Sequence, residues 1–216
     1  TSTQGVDPED ASYYNYTITR TWTAVDAAGN DVSASQVITV QDITDPVLVG
    51  VPAAVTVTCE TIPVAATVTA TDNCDASPGV SMTEASTQGV DPEDASYYNY
   101  TITRTWTAVD AAGNDVSASQ VISVQDITDP ELVGVPANET VTCETIPVAA
   151  TVTATDNCDA SPAVSMEETS TQGDNPENAN FYNYTITRTW TAVDAAGNDV
   201  SASQVISVQD ITDPEL

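Results

Sequence analysis

The sequence predicts an all-β protein made of tandem immunoglobulin-like antiparallel β-sandwich modules. Three observations favour this class. Apolar residues alternate with threonines along several segments, Gly/Asn/Asp/Pro turn signals separate those segments, and an 84-residue repeat organises the chain. About seven short strands for each repeat, with no helical period of useful length, are typical of an immunoglobulin-like sandwich.

The longest predicted strand is "YYNYTITRTWTAV", which begins at Tyr97. Its two faces differ sharply in composition. One face carries Tyr98, Tyr100, Ile102, Trp106 and Ala108, and the other carries Asn99, Thr101, Thr103, Thr105 and Thr107. This alternation predicts a half-buried strand with threonines facing water.

A hairpin follows this strand. "DAAGND", from Asp110, supplies Gly and Asn where a tight turn requires positive φ. The returning strand "VSASQVISVQ" again alternates, with Val116, Ala118, Ile122 and Val124 on one side. Earlier in the repeat, "AVTVTC" or "ETVTC", the proline turn "ETIP" and "VAATVTATD" predict two further strands, of which the second covers Val64–Thr71.

The repeat defines the predicted modules. A segment of near-identical sequence begins at Ser2, Ser86 and Ser170, and residues 43–126 and 127–210 differ at only 11 positions. We therefore expect two complete modules, at 43–126 and 127–210. Residues 1–42 match the C-terminal half of a module and residues 211–216 the start of another, an arrangement that suggests an excerpt from a longer array.

The charge of the chain restricts its partners. It has 32 acidic residues, three arginines and no histidine, which gives a net charge of −29. Nucleic acids and anionic membrane surfaces are excluded because both recruit basic residues. No apolar stretch of about 18 residues is present, so no membrane insertion is expected. The acidic composition is compatible with cation binding or with a saline extracellular environment.

Several motifs together resemble a known family. "DITDPVLVGVP", "VTVTCETIP", "ATVTATDNCD" and, most specifically, "TRTWTAVDAAGN" are similar to the hyalin-type (HYR-like), immunoglobulin-like repeats of giant cell-surface adhesins of gliding and marine bacteria. The resemblance covers essentially the whole chain. It implies β-sandwich modules strung into an extracellular stalk or adhesive fibre, and it implies no particular ligand. Some relatives carry a further cysteine where this chain has Ala112.

Each complete module has two cysteines, Cys59 with Cys74 and Cys143 with Cys158. Even counts at fixed spacing in an exported β-module predict a disulfide within each module. A tight hairpin of Val55–Cys59 with Val64–Thr71 would hold Cys59 far from Cys74, however. Cross-links between neighbouring modules or chains, and free thiols, therefore remain open as alternatives.

Acidic and amide residues recur in three segments of each module: the linker "DITD", the loop "DNCD" and the hairpin "DAAGND". In an immunoglobulin-like topology all three lie at the amino-terminal end of the module, where their oxygens would hold Ca²⁺ at the junction with the preceding module. The alternative is that these residues are ordinary turn formers. The candidate ligands are Asp42, Asp45, Asp72, Asn73, Asp75, Asp110 and Asn114, and then Asp126, Asp129, Asp156, Asn157, Asp159, Asp194 and Asn198.

The sequence favours a structural function over catalysis. It has no histidine, no Ser or Cys nucleophile with a candidate base, and no Gly-rich phosphate loop. We expect the shaft of an extracellular or cell-surface adhesin or filament, with neighbouring modules of the same chain as its partners. An array that binds surface glycans or proteins, and a multi-chain fibre formed by other copies, are the alternatives.

Overall fold

A long antiparallel hairpin recurs in every copy of the sequence repeat. In the last copy, Tyr184–Val193 pairs with Asp199–Val208 along its whole length, with Tyr184 opposite Val208. Gly197, in the connecting turn, has a φ of 100°, a conformation that a residue without a Cβ adopts readily. The structure therefore confirms the hairpin that the alternation and the turn motif predict.

The structure is a computed structural model, and it describes residues 1–213. Of the predicted module start at 211–216, residues 214–216 lie outside the described part. The strands are β1 (Tyr16–Val25), β2 (Asp31–Val40), β3 (Val47–Val49), β4 (Val55–Val57), β5 (Thr69–Thr71), β6 (Gly79–Ser86), β7 (Tyr100–Val109), β8 (Asp115–Val124), β9 (Glu131–Val133), β10 (Glu139–Val141), β11 (Thr153–Thr155), β12 (Ala163–Ser170), β13 (Tyr184–Val193) and β14 (Asp199–Val208). Short helical turns cover Ala11–Tyr14, Ala95–Tyr97 and Ala179–Phe181. No helix within residues 1–213 has the length and apolarity that crossing a bilayer requires.

Each complete repeat forms a four-stranded and a two-stranded sheet. In the last repeat these have the orders β10-β14-β13-β12 and β11-β9, and β9 packs against β13 and β14 to make a sandwich. The middle repeat has the equivalent orders β4-β8-β7-β6 and β3-β5. The predicted all-β, immunoglobulin-like class is confirmed. One detail differs from a wholly antiparallel sandwich, because β10 pairs with β14 in parallel.

The predicted strand at Val64–Thr71 is much shorter in the structure. Only Thr69–Thr71 is extended and paired, and it joins β3, whereas Val55–Val57 belongs to the other sheet. These two segments therefore form no hairpin. The Pro63 carbonyl, immediately before the predicted strand, accepts a 2.8 Å hydrogen bond from the Arg104 guanidinium.

The core follows the predicted alternation. Ile186, Trp190 and Ala192 of β13 are buried, as are Ile206 and Val208 of β14. On the opposite face, threonines of β13 meet serines of β14, and the Oγ atoms of facing pairs lie 2.8 Å apart. The apolar face supplies the burial that stabilises the sandwich, while the hydroxyl face remains hydrated.

The core face also contains a charge. Arg188 is 5% exposed, and its Nε donates a 2.7 Å hydrogen bond to Oε2 of Glu168, while another guanidinium nitrogen donates to the Pro147 carbonyl at 2.9 Å. Arg104 makes the equivalent pair with Glu84 at 2.6 Å. Both arginines are therefore already paired with a carboxylate of their own repeat.

The hairpin of residues 1–42 presents the same apolar face to solvent. Trp22 is 57% exposed, whereas Trp190, at the equivalent position in β13, is 2% exposed. Val32, on the same face of the hairpin, is also exposed. The same sequence therefore occupies two different environments within one chain.

Contacts divide the chain into two compact units whose boundaries differ from those of the repeats. The predicted module limits at residues 42, 126 and 210 stay a prediction. The first unit contains Thr1–Val55, Pro63–Ser86 and Ile102–Ile122, and the second contains Thr56–Ile62, Thr87–Thr101 and Ser123–Leu216. The boundary between residues 42 and 43 thus falls inside the first unit, and that between 126 and 127 falls inside the second.

We expect Trp190→Ala to lower the free energy of unfolding by about 3–5 kcal/mol, because it leaves a cavity in the core. Trp22→Ala, in an identical stretch of sequence, should change it by less than about 0.5 kcal/mol because Trp22 is exposed. Urea unfolding followed by circular dichroism measures both variants. Equal losses would show that the Trp22 face is also buried.

Candidate metal centre at the junctions between repeats

Two loops of each module meet the incoming linker at the same pole. In the last repeat, β11 ends at Thr155 opposite Glu131, the first residue of β9, so the following "DNCD" loop begins beside the linker. The turn between β13 and β14 joins Val193 to Asp199. It reaches this pole as well, because Asn198 Nδ2 donates to the Asp126 carbonyl at 3.3 Å.

We name the two resulting groups by their order in the chain. Each group lies wholly within one compact unit. The first junction cluster consists of Asp42, Asp72, Cys74, Asp75, Asp110 and Asn114, and the second junction cluster consists of Asp126, Asp156, Cys158, Asp159, Asp194 and Asn198.

In the second junction cluster, two carboxylates accept hydrogen bonds on both of their oxygens. Asp194 Oδ1 accepts from the backbone N–H of Gly197 at 2.7 Å, and its Oδ2 accepts from Asn198 Nδ2 at 2.8 Å. Asp159 Oδ1 accepts from Ser161 N–H, and its Oδ2 accepts from Ala195 N–H at 2.9 Å. Asp159 thereby ties the "DNCD" loop to the hairpin, which is a structural role.

Asp126 and Asp156 are different, because each has one oxygen that is buried without a partner. Asp126 Oδ1 accepts from Thr128 N–H at 3.3 Å, and Asp156 Oδ1 accepts from Cys158 N–H at 2.8 Å. Their Oδ2 atoms are buried and make no hydrogen bond with any group in residues 1–213, and Asp126 is only 4% exposed. A buried carboxylate oxygen without a partner is strongly unfavourable unless a cation compensates it.

The first junction cluster repeats this arrangement. Asp42 is 7% exposed, and its Oδ2 and the Oδ1 of Asp72 are again buried without a partner. Asn114 Nδ2 donates to the Asp42 carbonyl at 3.3 Å, and Asp75 accepts from Ala111 N–H at 3.0 Å. The unpartnered oxygens are therefore a property of the junction, since they recur in two separate compact units.

The negative charges of the second junction cluster repel one another. The pKa of Asp126 is raised above its ordinary value, first by desolvation and then by the negative charges of Asp156, Asp194 and Asp159, and the Thr128 N–H only partly opposes this rise. Neutralising the carboxylates would therefore stabilise the folded junction.

The donor set fits a hard divalent cation. In each cluster one carboxylate oxygen from each of the two aspartates and the cysteine Sγ lie within 4.8 Å of one another. Ca²⁺ takes carboxylate and carbonyl oxygens in irregular arrangements, whereas sulfur is a poor ligand for it. Asp42 with Asp72, and Asp126 with Asp156, are thus the residues that would hold the ion.

The other predicted ligands lie at the exposed edge of each junction cluster. Asp45 and Asp129 are exposed on the linker, although Asp129 lines a shallow depression together with Asp156 and Asn157. Asn73 and Asn157 are exposed, and their Nδ2 atoms donate to the neighbouring cysteine Sγ at 3.1 and 3.2 Å. Their amides therefore orient the cysteine.

Residues just before the long strand also contact the junction, and the sequence patterns did not indicate this role. Asn99 Oδ1 accepts from the Asp126 N–H at 3.0 Å, and Asn15 Oδ1 does the same for Asp42 at 2.9 Å. The Tyr98 hydroxyl donates to Asp159 at 3.5 Å. The sequence does contain a signal for this contact, because the dipeptide "NY" begins 27 residues before the linker aspartate in each copy.

The loop before Tyr98 is also part of this region. Pro92 and Glu93 line a cavity of about 200 Å³ together with Asp159, Asp194 and Ala195, all in the second compact unit. This loop therefore lies beside the acidic pole of the next repeat.

The predicted disulfide within each module is wrong, and one of the alternatives, a cross-link between neighbouring repeats, is present. Cys59 is bonded to Cys158, with their Cα atoms 6.0 Å apart, and Cys74 and Cys143 are free and exposed. The bond therefore joins two repeats. In the chain-entropy model, a closed loop of about 100 residues stabilises the fold by roughly 4–5 kcal/mol.

The topology explains why the two cysteines of one repeat do not meet. Cys143 follows β10, whose end at Val141 lies opposite Val208 and accepts from Gln209 N–H, at the outgoing pole. Cys158 follows β11 and lies at the incoming pole. The segment from Cys143 to Cys158 therefore runs the length of the module.

No family model matches the chain, and no curated protein matches it by sequence. Three similar solved structures are protocadherin gammaB7 EC3-6 (TM-score 0.33, 16% identity, 91% of this chain and 60% of that chain), Drosophila N-cadherin EC1-4 (0.33, 14%, 91% and 58%) and mouse cadherin-23 EC22-24 (0.32, 16%, 96% and 78%). The chain thus spans about 60% of the length of the first two.

We expect Asp126→Asn to stabilise the protein in the presence of a chelator at about pH 7. The folded-state pKa of Asp126 is raised, so its ionised form opposes folding above that pKa, and this penalty disappears as the pH falls through it. Calorimetry should show a melting temperature higher by about 2–4 °C at about pH 7, with little difference at about pH 3. Asp199→Asn, at an exposed position, is the control, and an equal gain there would contradict the local explanation.

Proposed function

We propose that this chain belongs to the shaft of an extracellular adhesin or surface filament, in which Ca²⁺ stiffens the junctions between repeats. One observation carries this proposal: each junction buries carboxylate oxygens that have no partner, on Asp42 and Asp72 and again on Asp126 and Asp156. A divalent cation supplies the missing positive charge. The linker aspartate and the "DNCD" aspartate then hold the same ion, which fixes one repeat against the next.

A structural role fits the repetition better than a catalytic one. The two complete repeats are nearly identical, and copies of one module supply length and valency. No histidine is available for acid–base chemistry, and Asp159 and Asp194 already accept hydrogen bonds on both carboxylate oxygens. We therefore assign no enzymatic activity to the chain.

Location outside the cell is supported by the chemistry of the chain. The disulfide between Cys59 and Cys158 requires an oxidising compartment to persist. Calcium at extracellular concentrations is compatible with sites of modest affinity. The resemblance of the sequence motifs to hyalin-type repeats of surface adhesins supports the same location.

Calcium titration of the whole chain tests this function. We expect two ions per chain, one for each junction cluster, with dissociation constants of about 10⁻⁴–10⁻³ M. Saturation should raise the melting temperature, since an ion that binds only the folded state contributes about 2.7 kcal/mol at 100 times its dissociation constant. Small-angle scattering should show a narrower distribution of chain dimensions with calcium than with chelator.

Matched variants make the test specific to the junctions. Asp42→Asn and Asp126→Asn should each leave one ion per chain, and the double variant should leave none. Asp115→Asn and Asp199→Asn, which change exposed aspartates at the start of β8 and β14, should retain two. Absence of calcium binding, or unchanged binding in the double variant, would remove the basis for the proposal.

A further inference from the structure

The disulfide joins cysteines that occupy different positions in two successive repeats. Cys143 occupies the position in its repeat that Cys59 occupies in the preceding one, and Cys158 likewise corresponds to Cys74. The observed bond spans 99 residues and joins the first cysteine of one repeat to the second cysteine of the next. The two cysteines left free are the second cysteine of the earlier repeat and the first cysteine of the later one.

Cys74 is held in the same local structure as its bonded counterpart. Its N–H donates to an Asp72 carboxylate oxygen at 2.7 Å, and Cys158 N–H donates to Asp156 at 2.8 Å. In both loops the preceding asparagine places its Nδ2 close to the Sγ, at 3.1 Å for Cys74 and 3.2 Å for Cys158. The thiol of Cys74 is therefore already arranged as a bonding partner.

The same equivalence holds for Cys143 and Cys59. Each lies in a turn closed by two threonines: Thr142 N–H donates to Thr145 Oγ1 at 3.1 Å, and Thr58 N–H donates to Thr61 Oγ1 at 3.2 Å. Both turns follow a short strand of the four-stranded sheet and lie at the outgoing pole. Cys143 is exposed at this pole.

We propose that Cys59–Cys158 is one bond in a series that joins each repeat covalently to the next. In this series Cys143 is the attachment point for the "DNCD" cysteine of a following copy of the repeat, and Cys74 is the attachment point for the "TCET" cysteine of a preceding copy. The partner of each free cysteine is thus a further repeat of the same sequence. This series does not depend on the proposed calcium ions.

The chemistry of each bond is a two-electron oxidation. Two thiols lose two protons and two electrons and form one S–S bond. A low-molecular-weight disulfide such as oxidised glutathione accepts the electrons and is reduced to two thiols, through a mixed disulfide that the second protein thiolate resolves. No other co-reactant is needed.

The first test uses the chain as it is. Oxidised refolding with glutathione, followed by alkylation and peptide mass mapping, should give Cys59 linked to Cys158 and alkyl groups on Cys74 and Cys143. In Cys59→Ser, the remaining three cysteines should all be alkylated, because Cys143 and Cys158 lie at opposite poles. Cys158→Ser is the matched control and should also leave three alkylated cysteines. A bond between Cys143 and Cys158, or between Cys59 and Cys74, would overturn the proposal.

The second test lengthens the full chain by one copy of residues 127–210, attached after Asp210. The number of disulfides should rise from one to two, while the number of free thiols stays at two. The new bond should link Cys143 to the second cysteine of the added copy. Cys143→Ser should abolish this bond and Cys74→Ser should not. Four free thiols, or a bond within the added copy, would contradict a series with this offset.

Discussion

The burial of carboxylates in a chain that has almost no positive charge is the constraint on which the junctions depend. The sequence contains 32 acidic residues and three arginines, and Arg104 and Arg188 are already paired with Glu84 and Glu168 inside their own repeats. Backbone N–H groups and the Asn198 side-chain amide satisfy Asp159 and Asp194, but one oxygen on Asp126 has no partner within residues 1–213. Within residues 1–213, the fold therefore buries negative charge at the junction that neither of these ion pairs compensates.

The sequence was a good guide to the long hairpin and a poor guide to the cysteines, for physical reasons. Alternation identifies a buried face wherever one side of a strand meets the core, and Trp190 and Ile206 lie where this rule predicts. The convergence of "DNCD" and "DAAGND" on the linker also followed from topology. A spacing of 15 residues between cysteines, by contrast, does not reveal whether the intervening chain turns back or crosses the module. Tyr98 and Asn99 were missed because their hydrogen bonds with the junction depend on a loop whose path the alternation does not encode.

The repeat in sequence and the compact unit in space are different divisions of the same chain. Each compact unit includes the end of one repeat and part of the next, so both sides of a junction are packed together within one unit. This arrangement limits how freely the repeats can vary, because the loop at Tyr98 of one repeat must fit the pole at Asp159 of the next. The exposed stretch from Val90 to Tyr97 accepts substitutions more readily: at Asn178, which replaces Asp94, the side-chain cap on the helical turn is lost while the turn itself is kept.

The disulfide between Cys59 and Cys158 also determines how the chain would transmit mechanical load. Tension applied to the two termini passes through the sulfur atoms, so the residues between these cysteines bear no force even after their strands have come apart. An unfolded stretch of that size would otherwise lengthen the molecule by roughly 330 Å, at about 3.3–3.6 Å per residue. Pulling the termini would therefore extend only the residues outside this loop, among them the long hairpin of β13 and β14.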